Sequence, residues 1–270
     1  MNYRPVLNNI PPVVKNLIII NILFFVATWI TSEMGIDLVA ILGMHYPGSD
    51  KFMMHQIFTH MFMHGGLTHI FFNMFALYMF GRVLESVWGP KRFLVYYLVT
   101  GLGAIALNTF VNFLEIHSIQ NALEAFKNTP SPELLDQFVN KNLPNATLQV
   151  RDFINSWYND PTNAGYAREG IILMERILTL KMDIPTIGAS GAVFGVLLAF
   201  GMLFPNTQLM LLFPPIPIKA KYFVIGYGAI ELYLGFSHPG SNIAHFAHLG
   251  GMLFGFILIK YWNKTTNRFY

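Results

Sequence analysis

A serine lies among small residues in Gly188-Ala189-Ser190-Gly191-Ala192-Val193-Phe194-Gly195, shortly after Pro185. A proline there suits a helix that begins just afterwards, which puts Ser190 in the first turn. In a first turn the backbone N–H groups lack intrahelical partners and the helix dipole is positive, so an oxyanion formed beside Ser190 would be stabilised. A second group is Ala247-His248-Leu249-Gly250-Gly251-Met252-Leu253-Phe254-Gly255, in which positions 248, 251 and 255 share one helix face. Its glycines would let another helix approach closely and bring His248 to a serine as general base. His245 is the rival on a similar face, but it lacks the glycine companions. In a third group, His69 and Asn73 stand four residues apart. Two donors on one helix face, aimed at one point, would complete an oxyanion hole.

Each group has a plainer explanation. Glycine and serine at small-xxx-small spacing usually mean close helix packing. A histidine can simply bond to a backbone carbonyl, and a His/Asn pair can make an interhelical hydrogen bond. The elements that carry these residues decide between the two kinds of reading.

Hydrophobic residues make up 54% of the 270-residue chain and charged residues only 11%, against about 25% charged in soluble domains. Lipid is therefore the expected solvent. With no Cys, disulfides and thiol chemistry are excluded. The formal charge is +3, and no basic patch is interleaved with aromatics, so nucleic acid is not an expected partner. Six apolar segments approach the roughly 20 residues a spanning helix needs: 13–32, 67–86, 92–114, 187–204, 219–236 and 243–262. Runs this continuous do not fit barrel strands. No small-residue cleavage site follows the first run, so it reads as a retained span, not a signal peptide.

Six spans put both termini on one side, together with Arg4, Lys15, Arg82, Lys91, Arg92, Lys219, Lys221, Lys260, Lys264 and Arg268. The opposite short loops, 33–66 and 237–242, hold only Lys51. The positive-inside rule then places the termini, including a tail at 263–270, in the cytoplasm. Spans two, four and six run inward, so His69, Ser190 and His248 share the outer level, where water has access. Polar groups inside spans are functional candidates by default, and their common level favours chemistry over packing. The region 115–186 is an extracytoplasmic insert. Ser131-Pro132-Glu133 reads as a helix start, with Leu134, Leu135, Phe138 and Val139 at helical spacing, and 146–159 and 168–181 also read as helices.

On these residues the chain resembles the rhomboid family of intramembrane serine proteases. The likeness lies in Gly188-x-Ser190-Gly191, His69 with Asn73, and His248 with Gly251 and Gly255. It extends to Gly81-x-x-x-Glu85-x-x-x-Gly89 and to His64-Gly65-Gly66-Leu67-Thr68-His69, and to the order of spans across 17–262. The resemblance implies an all-α, six-span bundle in a membrane, with the helical insert between spans three and four. It implies a Ser190–His248 dyad without a catalytic carboxylate, and no acid in the sequence reads as well placed to orient His248. It implies an oxyanion hole of the Ser190 N–H, His69 and Asn73, an aromatic ring at Phe194 against the histidine, and a fifth span acting as a lateral gate. Expected substrates are single-span membrane proteins whose helix unwinds readily. No cofactor and no metal are implied. The expected location is a bacterial inner membrane. One departure is His55-Gln56 where members often carry Trp-Arg, so the first loop must be anchored differently.

Two alternatives stand beside this reading. His55, His60, His64 and His69 would suit a metal-binding or transport protein, although no HExxH and no Cys accompany them. An inactive relative would bind membrane proteins without cutting them, but such proteins usually lose the serine or the histidine.

Overall fold

A computed structural model describes residues 10–210, 215–237 and 243–265. Arg4, Arg268 and the loop residues 238–242, which enter the orientation argument, lie outside them. The described helices are α1 (Pro12–Glu33), α2 (Leu38–Leu42), α3 (Gln56–Thr59), α4 (Leu67–Ala76), α5 (Arg82–Trp88), α6 (Pro90–Asn128), α7 (Pro132–Asn142), α8 (Leu148–Asn159), α9 (Ala164–Met182), α10 (Ser190–Leu203), α11 (Ala220–Ser237) and α12 (His245–Thr265). The chain divides into two compact units. The first holds the described residues up to Met44, Lys51–Thr109 and those from Pro185 onward; the second holds His45–Asp50 and Phe110–Ile184.

In the first unit, a π-helical turn at Leu77–Gly81 joins α4 to α5. Among the described residues, three helices are long and apolar enough to cross a membrane: α1, the continuous Leu67–Trp88 and α6. α1 buries only Val14, Leu17 and Asn21, while Ile19, Ile22, Leu23 and Trp29 are exposed, the pattern of a helix bathed in lipid. Pro11 gives its start no side-chain cap. Instead Glu85, buried on α5, accepts from the Val13 and Val14 N–H groups at 2.9 and 2.8 Å. A carboxylate on orphan N–H groups at a positive helix end is favourable on both counts. Gly81 lies against Val14 and Phe93, so the Gly81/Glu85 pair docks the start of α1.

α10 has 14 residues, about 21 Å of helix, short of the roughly 30 Å hydrocarbon layer. It begins at Ser190 itself, later than the expected 187, because Thr186 is bridged to Met44 and Gly188 has a positive φ, so no helix forms before Ala189. α11 and α12 occupy the fifth and sixth apolar segments. Between α10 and α11, Gln208–Met210 (β1) pairs antiparallel with Pro217–Lys219 (β2). Three-residue strands are too short for a period to show in sequence.

In the second unit, α6 continues to Asn128 instead of ending near 114. Apolar composition stops there, but no helix breaker occurs before Pro130 and Pro132. Ser131 Oγ accepts from the Leu134 N–H at 3.3 Å and Pro132 opens α7. Phe126, Leu135, Phe138, Val139, Ile154, Trp157 and Met174 form this unit's own core. Lys181 pairs with Glu115, tying α9 to α6.

Candidate active site

The segment before Ser190 is held as an extended strip. Thr186 exchanges both main-chain hydrogen bonds with Met44 at 2.9 and 2.8 Å, and the Gly188 N–H donates to His60 O at 2.9 Å. Asn108 Nδ2 adds a 3.0 Å bond to Thr186 Oγ1. Gly188 has φ +124°, a backbone state that favours glycine. A Cβ there would lie 2.9 Å from the His69 ring and 3.5 Å from Ser190 Oγ. The bare Cα therefore forms the floor between those two side chains.

α12 reaches α10 through its glycines. A Cβ on Gly251 would fall 1.8 Å from the Gly191 carbonyl oxygen, and one on Gly255 would fall 2.3 Å from Tyr96 Oη. Tyr96 in turn donates to Gly195 O at 2.8 Å. At this approach His248 Nε2 stands 2.8 Å from Ser190 Oγ. The Phe194 ring stacks on the His248 imidazole, with centroids 4.1 Å apart and planes at 5°. Ser190 is half-buried, while Phe194 and His248 are buried.

His69 lies beside Ser190 across Gly188, and its Nδ1 accepts a long bond, 3.4 Å, from the Gly65 N–H. Asn73 is buried, and its Nδ2 donates to its own helix, to His69 O at 3.0 Å. The bond Asn73 makes is thus within α4 and not to Ser190.

One expectation is corrected. An acid does stand at His248: Glu231 on α11 presents one carboxylate oxygen 2.9 Å from His248 Nδ1. The same oxygen lies 2.7 Å from His245 Nδ1. His245, the rival histidine, is therefore on the carboxylate and not on the serine. The signal for Glu231 was present, since it is the one acid in the 219–236 apolar run, and an ionisable group inside a span calls for a partner. Nothing in the linear order brings residue 231 next to residue 248, so only the helix crossing reveals the partner.

The loop histidines do not converge on a metal site. His55 Nε2 meets Ile41 O at 3.0 Å and His60 Nδ1 meets Gln56 O at 2.9 Å. His64 meets His69 ring edge to face at 5.0 Å. Burial holds the His60 and His64 imidazoles down to about 4, so both are neutral near pH 7. Gln56 anchors the first loop from inside: its Nε2 donates to Ile41 O and Lys51 O at 3.2 and 3.0 Å, and its Oε1 accepts from Met53 N at 3.1 Å.

Residues 51–117 and 165–264, more than half of the chain, match the Rhomboid domain. The chain belongs to the rhomboid family. All the site residues fall within the matched blocks, whereas α7 and α8 fall in the unmatched stretch between them. This rhomboid is 28% identical over 200 residues to RHOMBOID-like protein 12, mitochondrial, of Arabidopsis thaliana, covering 73% of this chain and 43% of the relative. It is 33% identical over 84 residues to Rhomboid protein 1, mitochondrial, of Saccharomyces cerevisiae, covering 31% and 24%. The chain thus spans less than half the length of either relative. Both relatives carry mitochondrial names, which gives no support to the expected bacterial inner membrane.

Proposed function

We propose that this rhomboid is an intramembrane serine endopeptidase, in which Ser190 is the nucleophile and His248 the general base. The observation that carries this reading is the 2.8 Å separation of Ser190 Oγ and His248 Nε2, held by the Gly191–Gly251 approach. Oγ attacks the scissile carbonyl carbon as its proton passes to Nε2. The oxyanion is stabilised by the Ser190 N–H at the start of α10, with donors from His69 and Asn73. The imidazolium then protonates the leaving amine, and water hydrolyses the acyl-enzyme by the same route. Phe194 keeps the imidazole plane fixed while the proton moves.

The substrates proposed are single-span membrane proteins with a readily unwound helix, admitted past α11. A six-span topology, with both termini on the Lys- and Arg-rich side and the 115–186 insert on the other, accompanies this reading. It agrees with Ser190 opening a helix too short to reach both surfaces, which leaves the serine below the water interface.

The test uses purified protein in liposomes with a tagged single-span substrate. Ser190→Ala and His248→Ala are each expected to abolish cleavage, and cleavage that survives in both overturns the assignment. For His69→Ala, turnover about 10²–10³ lower is expected; unchanged turnover removes His69 from the oxyanion hole.

A further inference from the structure

We infer that Glu231 is a positioning residue for His248: it accepts the Nδ1–H, leaves Nε2 bare toward Ser190, and is itself steadied by His245. The inference rests on the protease reading above and departs from the dyad that family resemblance implies.

An ionised carboxylate only accepts hydrogen bonds. The 2.9 Å contact to Glu231 therefore requires a hydrogen on His248 Nδ1. A neutral imidazole with that hydrogen presents its lone pair at Nε2, where Ser190 Oγ lies 2.8 Å away. When Nε2 takes the serine proton, the imidazolium stands beside a fixed negative charge, and Glu231 stays ionised throughout. Burial makes this contact matter. Glu231 is 4% exposed, and a buried carboxylate without partners is costly. Its surroundings on α11 are apolar and largely exposed, including Ile225, Ile230 and Tyr233, so packing alone would favour an apolar residue. Two histidine N–H groups on one oxygen meet the need, and one of them is the base.

Glu231, His245 and His248 also form a set of three metal-type donors. Their spacing argues against an ion. The carboxylate oxygen is 2.7 and 2.9 Å from the two nitrogens, which is hydrogen-bond distance. Tetrahedral ligands at about 2.0 Å from zinc would stand roughly 3.3 Å apart. Among the described residues, Tyr227 on α11 meets the far side of Phe194, whose ring stacks on the imidazole, and His69 on α4 lies within electrostatic reach of His248.

The experiment measures kcat and KM for wild type, Glu231→Gln, Glu231→Asp and Ser190→Ala in the same liposomes. Glu231→Gln is expected to lower kcat about a hundredfold or more, as removing the third group of a soluble triad does, with KM within about twofold. Glu231→Asp recovers part of kcat. In the unaltered protein, ¹⁵N-histidine NMR is expected to report His248 with Nδ1–H and bare Nε2, its signal assigned by loss in His248→Gln. This reading holds even if a Glu231 variant does not fold. An Nε2–H tautomer at His248 overturns the inference, as does kcat within about threefold of wild type in Glu231→Gln. A loss that follows the folded fraction, with no recovery of kcat in Glu231→Asp, makes Glu231 a packing residue and overturns it too. Cleavage persisting in Ser190→Ala instead removes the protease reading, and the tautomer is still read independently.

Discussion

α10 and α11 both supply a residue to the candidate site, yet they are built on opposite plans. Ten of the fourteen residues of α10 are buried, against three of the eighteen in α11. α10 is fixed on several sides by close approaches: Gly191 to Ala104, Gly195 to Thr100 and Gly201 to Val224. α11 turns Tyr222, Ile225, Ile230, Tyr233 and Phe236 outward, and Glu231 is its polar hold on the site. The proposed nucleophile thus sits on the rigid partner. The residue that orients the base, on our reading, sits on the loosely packed one. Displacing α11 would uncouple Glu231 from His248 without disturbing Ser190, so the helix proposed as a gate is also the one that completes the site.

The contrast breaks most readily at the α10–α12 crossing. Gly251→Val places a side chain against the Gly191 carbonyl and is expected to cost about 3 kcal/mol or to prevent folding, read as thermal unfolding in detergent. Gly226→Ala on α11 meets nothing within 4 Å and is expected to leave stability unchanged. Equal stability in the two variants would show that α10 is no more constrained than α11.

Acid tests the α10 side next. His60 holds Gly188 through its main-chain carbonyl, and burial keeps its imidazole down to about 4 against 6.5 when exposed. Between those values the unfolded state binds more protons than the folded one. The stability from a neutral His60 is therefore complete above pH 6.5 and is lost as pH falls toward 4, by about 3 kcal/mol at most. The unfolding midpoint should fall over that window and fall less in His60→Gln; equal slopes place the acid sensitivity elsewhere.

The smallest expected effect is at one hydrogen bond. Tyr96→Phe removes the bond to Gly195 O and should cost about 1 kcal/mol, whereas Tyr222→Phe on exposed α11 should cost nothing measurable by the same unfolding assay.

Much of this is visible in the residue order. Six apolar runs, the 3.6-residue spacing of His248, Gly251 and Gly255, and Ser131-Pro132 as a helix start are local features, and local features survive in one dimension. The apolar run ends at 114 but α6 does not, because hydropathy and helicity part company there: Glu115, Gln120 and Lys127 are polar but do not break a helix. Asn73 belongs to the proposed oxyanion hole, and the bond it makes in this structure is to His69 O on its own helix.

What the sequence determined by itself is the solvent, the helical class, and a serine and histidine on faces cleared by glycine, because composition and period act over a few turns of chain. What only the tertiary structure decided is partnership. Ser190 and His248 are 58 residues apart and Glu231 and His248 are 17 apart. Helix crossings, not spacing, put His248 between the serine and the carboxylate and His245 on the carboxylate. A buried acid must find its partners wherever packing brings them, and no linear pattern records that meeting.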